Sequence, residues 1–357
     1  MNTQYEAQEV VKVSEKHLTS DILNFPEAID VIEYYFDQGW TDGLPIVPPT
    51  PKKVGEFLEY VGLSPSDILG TEPTKGRVIT AEKVAINAVM AGCLPQYFPV
   101  VASALQAMCE PKFNLHGMSV STMGSAVLTV VNGPIVDELG LNSGVNVFGP
   151  GNRANATIGR AIRLCIINVT GAIPGILDKS TLGHAGKYTF CIAEAEAVNP
   201  WNTLQVERGF SNAQSTVTIF AGLSPIQVTN GDGDSPETIL PSFYDALFAA
   251  GYDQGEVVII LSPEHVGNLA RSGWSKREVK QFLYDGAQRI DSNRSAHSGS
   301  FRDSDNLDRD ADVIKAVVNS PDNITIIVAG GAAGVFSSVI PLWTGGSNSE
   351  SVTNVIM

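Results

Sequence analysis

Hydrophobic positions recur every three to four residues in some stretches of this chain and form short unbroken runs in others. After Pro26, the apolar positions Ala28, Ile29, Ile32, Tyr35 and Phe36 predict a helix that ends at Gly39. Thr50-Pro51 reads as an N-cap followed by proline at the first helical position, opening a helix through Val54, Phe57 and Leu58. Further helices are predicted from Thr80 to about Gly92, from Leu94-Pro95 through Met108, and from about Asn152 to Val169. On the last of these, Ile158, Ile162, Cys165, Ile166 and Val169 share one face, with Arg153, Arg160 and Arg163 on or near the other. Val127–Val131 reads as a buried strand closed by Asn132-Gly133-Pro134.

The second half alternates. Strands are predicted at Val217–Phe220, Glu256–Leu261 and Ile324–Ala329, with helices at Ser242–Ala250, Pro263–Ala270 and Ser275–Ala287. Ser275-x-x-Glu278 has capping-box spacing. Asp291–Asp312 reads as a charged, serine-rich loop, and no internal repeat of fixed period is visible. Such alternation predicts an α/β fold: two layered α/β domains with largely covered sheets, preceded by a helical, proline-rich N-terminal segment. The expected boundaries are an arm over 1–25, a first domain over 26–213 and a second over 214–357.

Composition narrows the field. With 357 residues and a net charge of −15, the chain is a poor match for nucleic acid or an anionic membrane surface. Hydrophobic residues make up 43% and the mean hydropathy is +0.07, which excludes a disordered chain. Only 17% of residues are charged, so much surface is expected to be interior or covered in a homo-oligomer. No apolar run reaches the ~20 residues of a membrane span. Met1–Leu23 lacks the pattern of a signal peptide, and the four cysteines show no zinc or CxxC spacing. A soluble, cytoplasmic protein is expected.

Resolved along the chain, the charge becomes a positional clue. Residues 84–193 carry six basic groups, among them Arg153, Arg160, Arg163 and Lys187, against four acidic ones. From Phe113 to Val136 there is no charged side chain. A small anion would find its most favourable potential in this centre. The glycine-rich stretch Gly149-Pro150-Gly151 leads into the helix at Asn152 and Arg153, where backbone N–H groups and the helix dipole favour negative charge. Arg153, Arg160, Asn114, Asn152, Lys187 and Arg208 are the candidate substrate contacts. The stretch is neither a Walker loop nor a GxGxxG fingerprint, and the sequence assigns no cofactor.

Cys93, just before a proline-started helix, is the candidate nucleophile, with a small buried hydrophobe as the competing reading. His116 is the candidate acid–base group and is placed at a loop-to-strand junction, where an ordinary loop histidine fits equally well. Glu194 and Glu196, spaced i and i+2, would share a face on a strand and hold a proton or a metal between them. With His116 or His184 they form the donor set of a metal reading, while salt bridges, for example to Arg208, form its alternative. His265, in Ser262-Pro263-Glu264-His265 after the Glu256–Leu261 strand, sits where ligands bind in open α/β sheets. An ordinary capped helix start fits it as well.

Several of these segments together resemble a large bacterial family marked by Thr41-Asp42-Gly43-Leu44-Pro45-Ile46-Val47-Pro48-Pro49-Thr50. Its further marks are Ala91-Gly92-Cys93-Leu94-Pro95, Asn114-Leu115-His116-Gly117, the run from Gly149 to Arg160, Pro200-Trp201 and Glu207-Arg208-Gly209. Ser262-Pro263-Glu264-His265 and Gly273-Trp274-Ser275-Lys276 complete the likeness, which spans roughly residues 25–345. Relatives in that family are often labelled hypothetical or thioredoxin-like, and the family is associated with small proteins carrying a Sec/Cys-Gly-Ser-Cys motif. The resemblance implies thiol or selenol redox chemistry with a Cys/Sec-containing partner protein. This chain lacks the motif itself, so Cys93 would have to work with that partner or an external thiol.

The leading expectation is an enzyme for a small anionic substrate, a sulfur-linked one included, that uses Cys93 and His116. Arg153 and Arg160 would hold the anion, and Glu194 and Glu196 would orient its partners. Two alternatives stand beside it: a metal-assisted lyase or hydrolase using His116, Glu194 and Glu196, and a non-catalytic subunit of a Cys/Sec redox partner.

Overall fold

In the computed structural model, residues 18–251, 255–291, 313–343 and 349–357 are described. His17, His297 and nearly all of the serine-rich Asp291–Asp312 loop lie outside the described residues, as do residues 1–17 of the N-terminal arm.

Local signals set the first elements. Helix α1 (Ala28–Asp37) precedes the proline loop, and α2 (Pro51–Val61) begins where the Thr50 hydroxyl accepts the Lys53 N–H at 3.3 Å. Gly62 ends α2 with a left-handed φ of 71°, which glycine adopts without steric cost. Strands β1 (Ile68–Glu72) and β2 (Arg77–Thr80) pair antiparallel, and Thr80 caps α3 (Ala81–Ala91). Then follow α4 (Phe98–Met108), α5 (Leu115–Val120), β3 (Ala126–Asn132), α6 (Ile135–Leu139), α7 (Arg153–Asn168), β4 (Cys191–Ala193), α8 (Leu204–Glu207) and β5 (Thr216–Gly222). Beyond them come β6 (Ile226–Thr229), α9 (Pro236–Ile239), α10 (Tyr244–Ala250), β7 (Val257–Leu261), α11 (Pro263–Arg271) and α12 (Lys276–Gly286). The capping box at Ser275 and Glu278 forms at the start of α12. The chain closes with β8 (Gln288–Asp291), β9 (Val313–Ala316), β10 (Ile324–Val328), β11 (Phe336–Pro341) and β12 (Val352–Val355).

Two four-stranded sheets organise the molecule, in the orders β12-β5-β3-β4 and β10-β7-β11-β6. Alternation along the strands shows what covers each face. From the first sheet, Val127, Val131, Val217, Ile219 and Ala221 pack in one cluster with residues of α2, α3, α4 and α7. The alternate residues Ala126, Leu128, Val130, Ile192 and Phe220 meet Val258, Ile260, Ile327 and Ile340 of the second sheet. On the far side of that sheet, Val257, Ile259, Ile324 and Ile326 pack against Leu247, Leu269, Val279 and Leu283 of α10, α11 and α12. The fold is therefore α/β with four layers, helices enclosing two sheets packed face to face. Both sheets are covered on both sides, which explains why β3, β5, β7 and β10 are buried along their whole lengths.

The two sheets share one internal plan. Each contains a parallel pair, β3 with β4 and β7 with β10, followed by an antiparallel neighbour, β5 or β11, and then an antiparallel edge, β12 or β6. Where β5 and β11 end they exchange hydrogen bonds reciprocally: Leu223 N donates to Pro341 O and Trp343 N donates to Ala221 O, both at 2.8 Å. The two sheets thus match in strand pattern, although their residues show no repeat. The chain crosses between sheets after β5 and again after β11. Consequently β5 and the C-terminal β12, both beyond residue 213, complete the first sheet, and the second sheet is built from the chain between them.

Candidate functional site

The neutral-to-basic centre identified in the sequence folds into the first sheet and α7, but its cations divide by task. Arg153 donates from Nε and Nη2 to the Gly92 carbonyl at 3.1 and 3.0 Å. Arg160 grips Asp42 bidentately at 2.8 Å through each nitrogen and also reaches the Leu44 and Pro45 carbonyls. Both arginines are therefore occupied in pinning the proline-rich loop and the α3 terminus onto α7. Asn152 caps α7 by accepting the Asn155 N–H at 3.0 Å. The open cleft beside it, about 480 Å³, is lined by Asp137, Asn142, Asn146 and the Pro150–Asn152 turn, without a cation. Arg208 donates to Ser351 Oγ at 2.7 Å and lies 3.6 Å from Glu256.

Cys93 is buried, and its thiol donates to the Thr157 carbonyl at 3.3 Å. Burial pushes it up to about 12, and the nearby Arg153 and Arg160 only partly offset this. A thiol in that state is almost wholly protonated at neutral pH and is a poor nucleophile. Expected at a loop-to-strand junction, His116 lies instead in α5, whose first turn Asn114 caps by accepting the Gly117 N–H. Asn114 reaches this position with a left-handed φ of 54°. Cys93, His116 and the Glu194/Glu196 pair are not brought together. Among the described residues, no group of three His, Cys, Asp or Glu side chains is arranged to hold a metal ion.

Two polar clusters do form, at opposite ends of the parallel β3–β4 pair. At the carboxyl end, one amide joins the two glutamates. Asn132 Nδ2 donates to Glu194 Oε2 at 2.7 Å and to Glu196 Oε1 at 3.0 Å. Leu204 N and Asn199 Nδ2 complete the shell of Glu194, and Gly133 N donates to Glu196 at 2.7 Å. Glu194 lies just past β4 and Glu196 in a short turn, so they converge through Asn132 rather than by sharing a strand face. Burial raises the Glu194 carboxyl above its usual range; Lys276 and the hydrogen bonds of Leu204 and Asn132 work against it. Lys276 donates to the Asn202 carbonyl at 3.0 Å and pairs with Glu207 at 3.1 Å.

At the amino end the sign reverses. Asp178 Oδ2 pairs with Lys187 Nζ at 2.6 Å and with Arg163 Nη2 at 2.9 Å. Ser180 Oγ donates to Asp178 Oδ1 at 2.5 Å while accepting from Lys187 Nζ at 2.5 Å. Burial would raise the Asp178 carboxyl, but its bonds to Lys187, Ser180 and Arg163 outweigh that and hold it far below the carboxylate range. Lys187 is lowered by burial despite its Asp178 partner. His184, three residues earlier, is also lowered, by burial first and by the charge of Lys187. Two cations share one carboxylate, which leaves a local surplus of one positive charge. Arg163 and Gly186 also line a small cavity of about 10 Å³ with Ser125, Gly159 and Ile162. A cavity needs about that much space to hold a single small polar group such as one water molecule.

The chain matches no protein-family model, no curated protein and no solved structure.

Of the sequence candidates, Lys187 belongs to the cationic cluster, and Glu194 and Glu196 to the acidic one. His265 is isolated from both. It is fully buried, with Nδ1 2.7 Å from Ser337 Oγ and Nε2 3.1 Å from the Asn230 carbonyl. The carbonyl accepts only, so Nε2 carries the proton and Nδ1 accepts from Ser337. Sequence reasoning missed Arg163, Asp178 and Ser180 as site residues and offered His184 only as a metal ligand. Arg163, expected on or near the face of α7 opposite its core side, is buried instead and pairs with Asp178. The available signal was Asp178, a rare carboxylate in a centre otherwise rich in cations.

Proposed function

We propose that this protein is an enzyme for a small anionic substrate and that the substrate's charge is held by Arg163 and Lys187 at the amino end of β3 and β4. The observation that carries the reading is the surplus positive charge beside a cavity lined by Arg163. Partly buried, such a charge is screened far less than a surface lysine, and an incoming carboxylate, sulfonate or phosphate oxygen would offset it. Ser180, which accepts from Lys187 and donates to Asp178, holds the Lys187 ammonium in place beside the bound anion. His184, kept neutral by burial, is a proton-transfer group close by. Exposed Met123, Leu182 and Tyr188 accompany this end of the sheet and fit the edge of a subunit contact in a homo-oligomer. The anchor of the anion thus moves from Arg153 and Arg160 to Arg163 and Lys187, and Cys93 has no part in the step.

The test is a panel of small carboxylates, sulfonates and phosphates screened by thermal midpoint and by turnover. One anion class is expected to raise the midpoint of the wild-type protein in a concentration-dependent way. A panel in which no anion does so would sink the reading.

A further inference from the structure

The layer between the two sheets changes character along its length. Around Leu128, Phe220, Ile260 and Ile340 it is wholly apolar. Toward the carboxyl end of β3 the residues of the same parity become polar. Asn132 and Thr216 are direct partners in the β3–β5 register, so their side chains stand side by side on the face turned to the second sheet. Thr218 follows on β5, where its hydroxyl meets that of Thr353 at 2.9 Å. Leu204 N and Asn132 Nδ2 both donate to Glu194 Oε2, which brings α8, and with it Gln205, to the same place.

Asn132, Thr216 and Gln205 are each fully buried. Yet Asn132 Oδ1, Thr216 Oγ1 and both amide atoms of Gln205 have no hydrogen-bond partner among the described residues. The orientation of Asn132 is set by its Nδ2, which donates to Glu194 Oε2 and Glu196 Oε1 and turns Oδ1 away from both. Left unpaired, each such group costs on the order of 1–3 kcal/mol. Two of these atoms belong to the adjacent Asn132 and Thr216, and two to Gln205, next in chain to the Leu204 that bonds Glu194; the native pattern has buried polar atoms satisfied by protein or by ordered water.

We infer that this polar end of the inter-sheet layer is a binding site for at least one ordered water molecule, bridging Gln205, Asn132 and Thr216. Water matches the set because it donates to the two amide oxygens and accepts from the Gln205 NH2, while the Thr216 hydroxyl takes either role. An anion would meet the Asn132 and Gln205 oxygens and the nearby Glu194, and a metal cation would meet the Gln205 NH2. The bound water gives Asn132 its remaining hydrogen bond and so fixes the amide that clamps Glu194 and Glu196. Asn132 and Gln205 are then positioning residues for that pair.

A crystal structure of the full chain at a resolution that shows waters is the direct test. A density peak at roughly 2.7–3.2 Å from Gln205 and Asn132 Oδ1 is expected. Denaturation midpoints of Gln205→Met, Thr216→Val and Thr216→Ser supply an independent reading. Gln205→Met and Thr216→Val should lower the midpoint by stranding the water's other partners, while Thr216→Ser, which keeps the hydroxyl, should stay near wild type. If Gln205→Met does not fold, the Val and Ser pair at Thr216 carries the comparison. A dry site in the crystal, or a midpoint raised by Gln205→Met or Thr216→Val, would overturn the inference, because deleting an unpaired polar group from a dry layer is stabilising.

Discussion

The two ends of the parallel β3–β4 pair solve the problem of buried charge in opposite ways. At the amino end one carboxylate, Asp178, is shared by Arg163 and Lys187, and charge partners outweigh burial. At the carboxyl end two carboxylates, Glu194 and Glu196, are joined by the neutral amide of Asn132, and burial wins at Glu194. Asp178 is accordingly held ionised while Glu194 is pushed toward its protonated form. The same two strands lead to both clusters, so the difference lies in the neighbours. A site with one positive charge to spare suits an anionic ligand; a site with one amide between two acids suits a proton or water.

The largest effect should follow from deleting the shared carboxylate. Asp178→Asn leaves two buried cations facing each other and is expected to cost about 3–5 kcal/mol, read by urea denaturation at pH 7. A loss below about 1 kcal/mol would mean that the amino end is no more than a solvated surface pair. Glu194→Gln should cost less, about 1–3 kcal/mol, because the new NH2 group must face one of the three donors around Glu194.

Acid titration sharpens the contrast, because the two groups have opposite signs. The depressed Asp178 contributes stability that is present above the ordinary aspartate pKa of about 3.9 and lost as pH falls through its folded value. Raised Glu194 contributes stability that is full below the ordinary glutamate pKa of about 4.3 and lost as pH rises through its folded value. The deficit of Glu194→Gln relative to wild type should therefore be greatest near pH 4 and shrink toward neutrality. A deficit that grew with pH would reverse the assignment at the carboxyl end. The smallest effect belongs to Cys93→Ser, which should change anion affinity by no more than about twofold, measured by calorimetry, since the thiol takes no part in the cluster.

Much of the fold was legible because local chemistry and tertiary context agree there. Thr50, Thr80 and Ser275 cap the helices they were expected to cap, and the apolar runs that became β3, β7 and β10 are buried on both faces. Strands β6, β11 and β12 are among those that went unseen, as are β1, β2, β8 and β9. Ser337, Ser338, Thr353 and Asn354 interrupt the apolar pattern of β11 and β12, and their pairing is set by partners distant in sequence. The shared plan of the two sheets is likewise a matter of topology, which periodicity does not record.

The site was half legible, for a related reason. The charge count located the basic centre and Lys187, but it could not tell which arginine shares its carboxylate with a second cation. Arg160 is taken up by Asp42, 118 residues away in sequence, whereas Arg163 pairs with Asp178. Cys93 reads as a nucleophile from its place before a proline-started helix, yet burial decides its protonation. Long-range contacts assign these roles, and the sequence pattern alone does not carry them.

Calorimetric titration of wild type and Lys187→Met with the anion that most raises the thermal midpoint tests the central claim most directly. Lys187→Met removes the surplus charge and keeps the Arg163–Asp178 pair, so affinity should fall by at least about tenfold, equivalent to ~1.4 kcal/mol, while the fold is retained by circular dichroism. Equal affinity in the two proteins would contradict the account and place the anion elsewhere in the molecule.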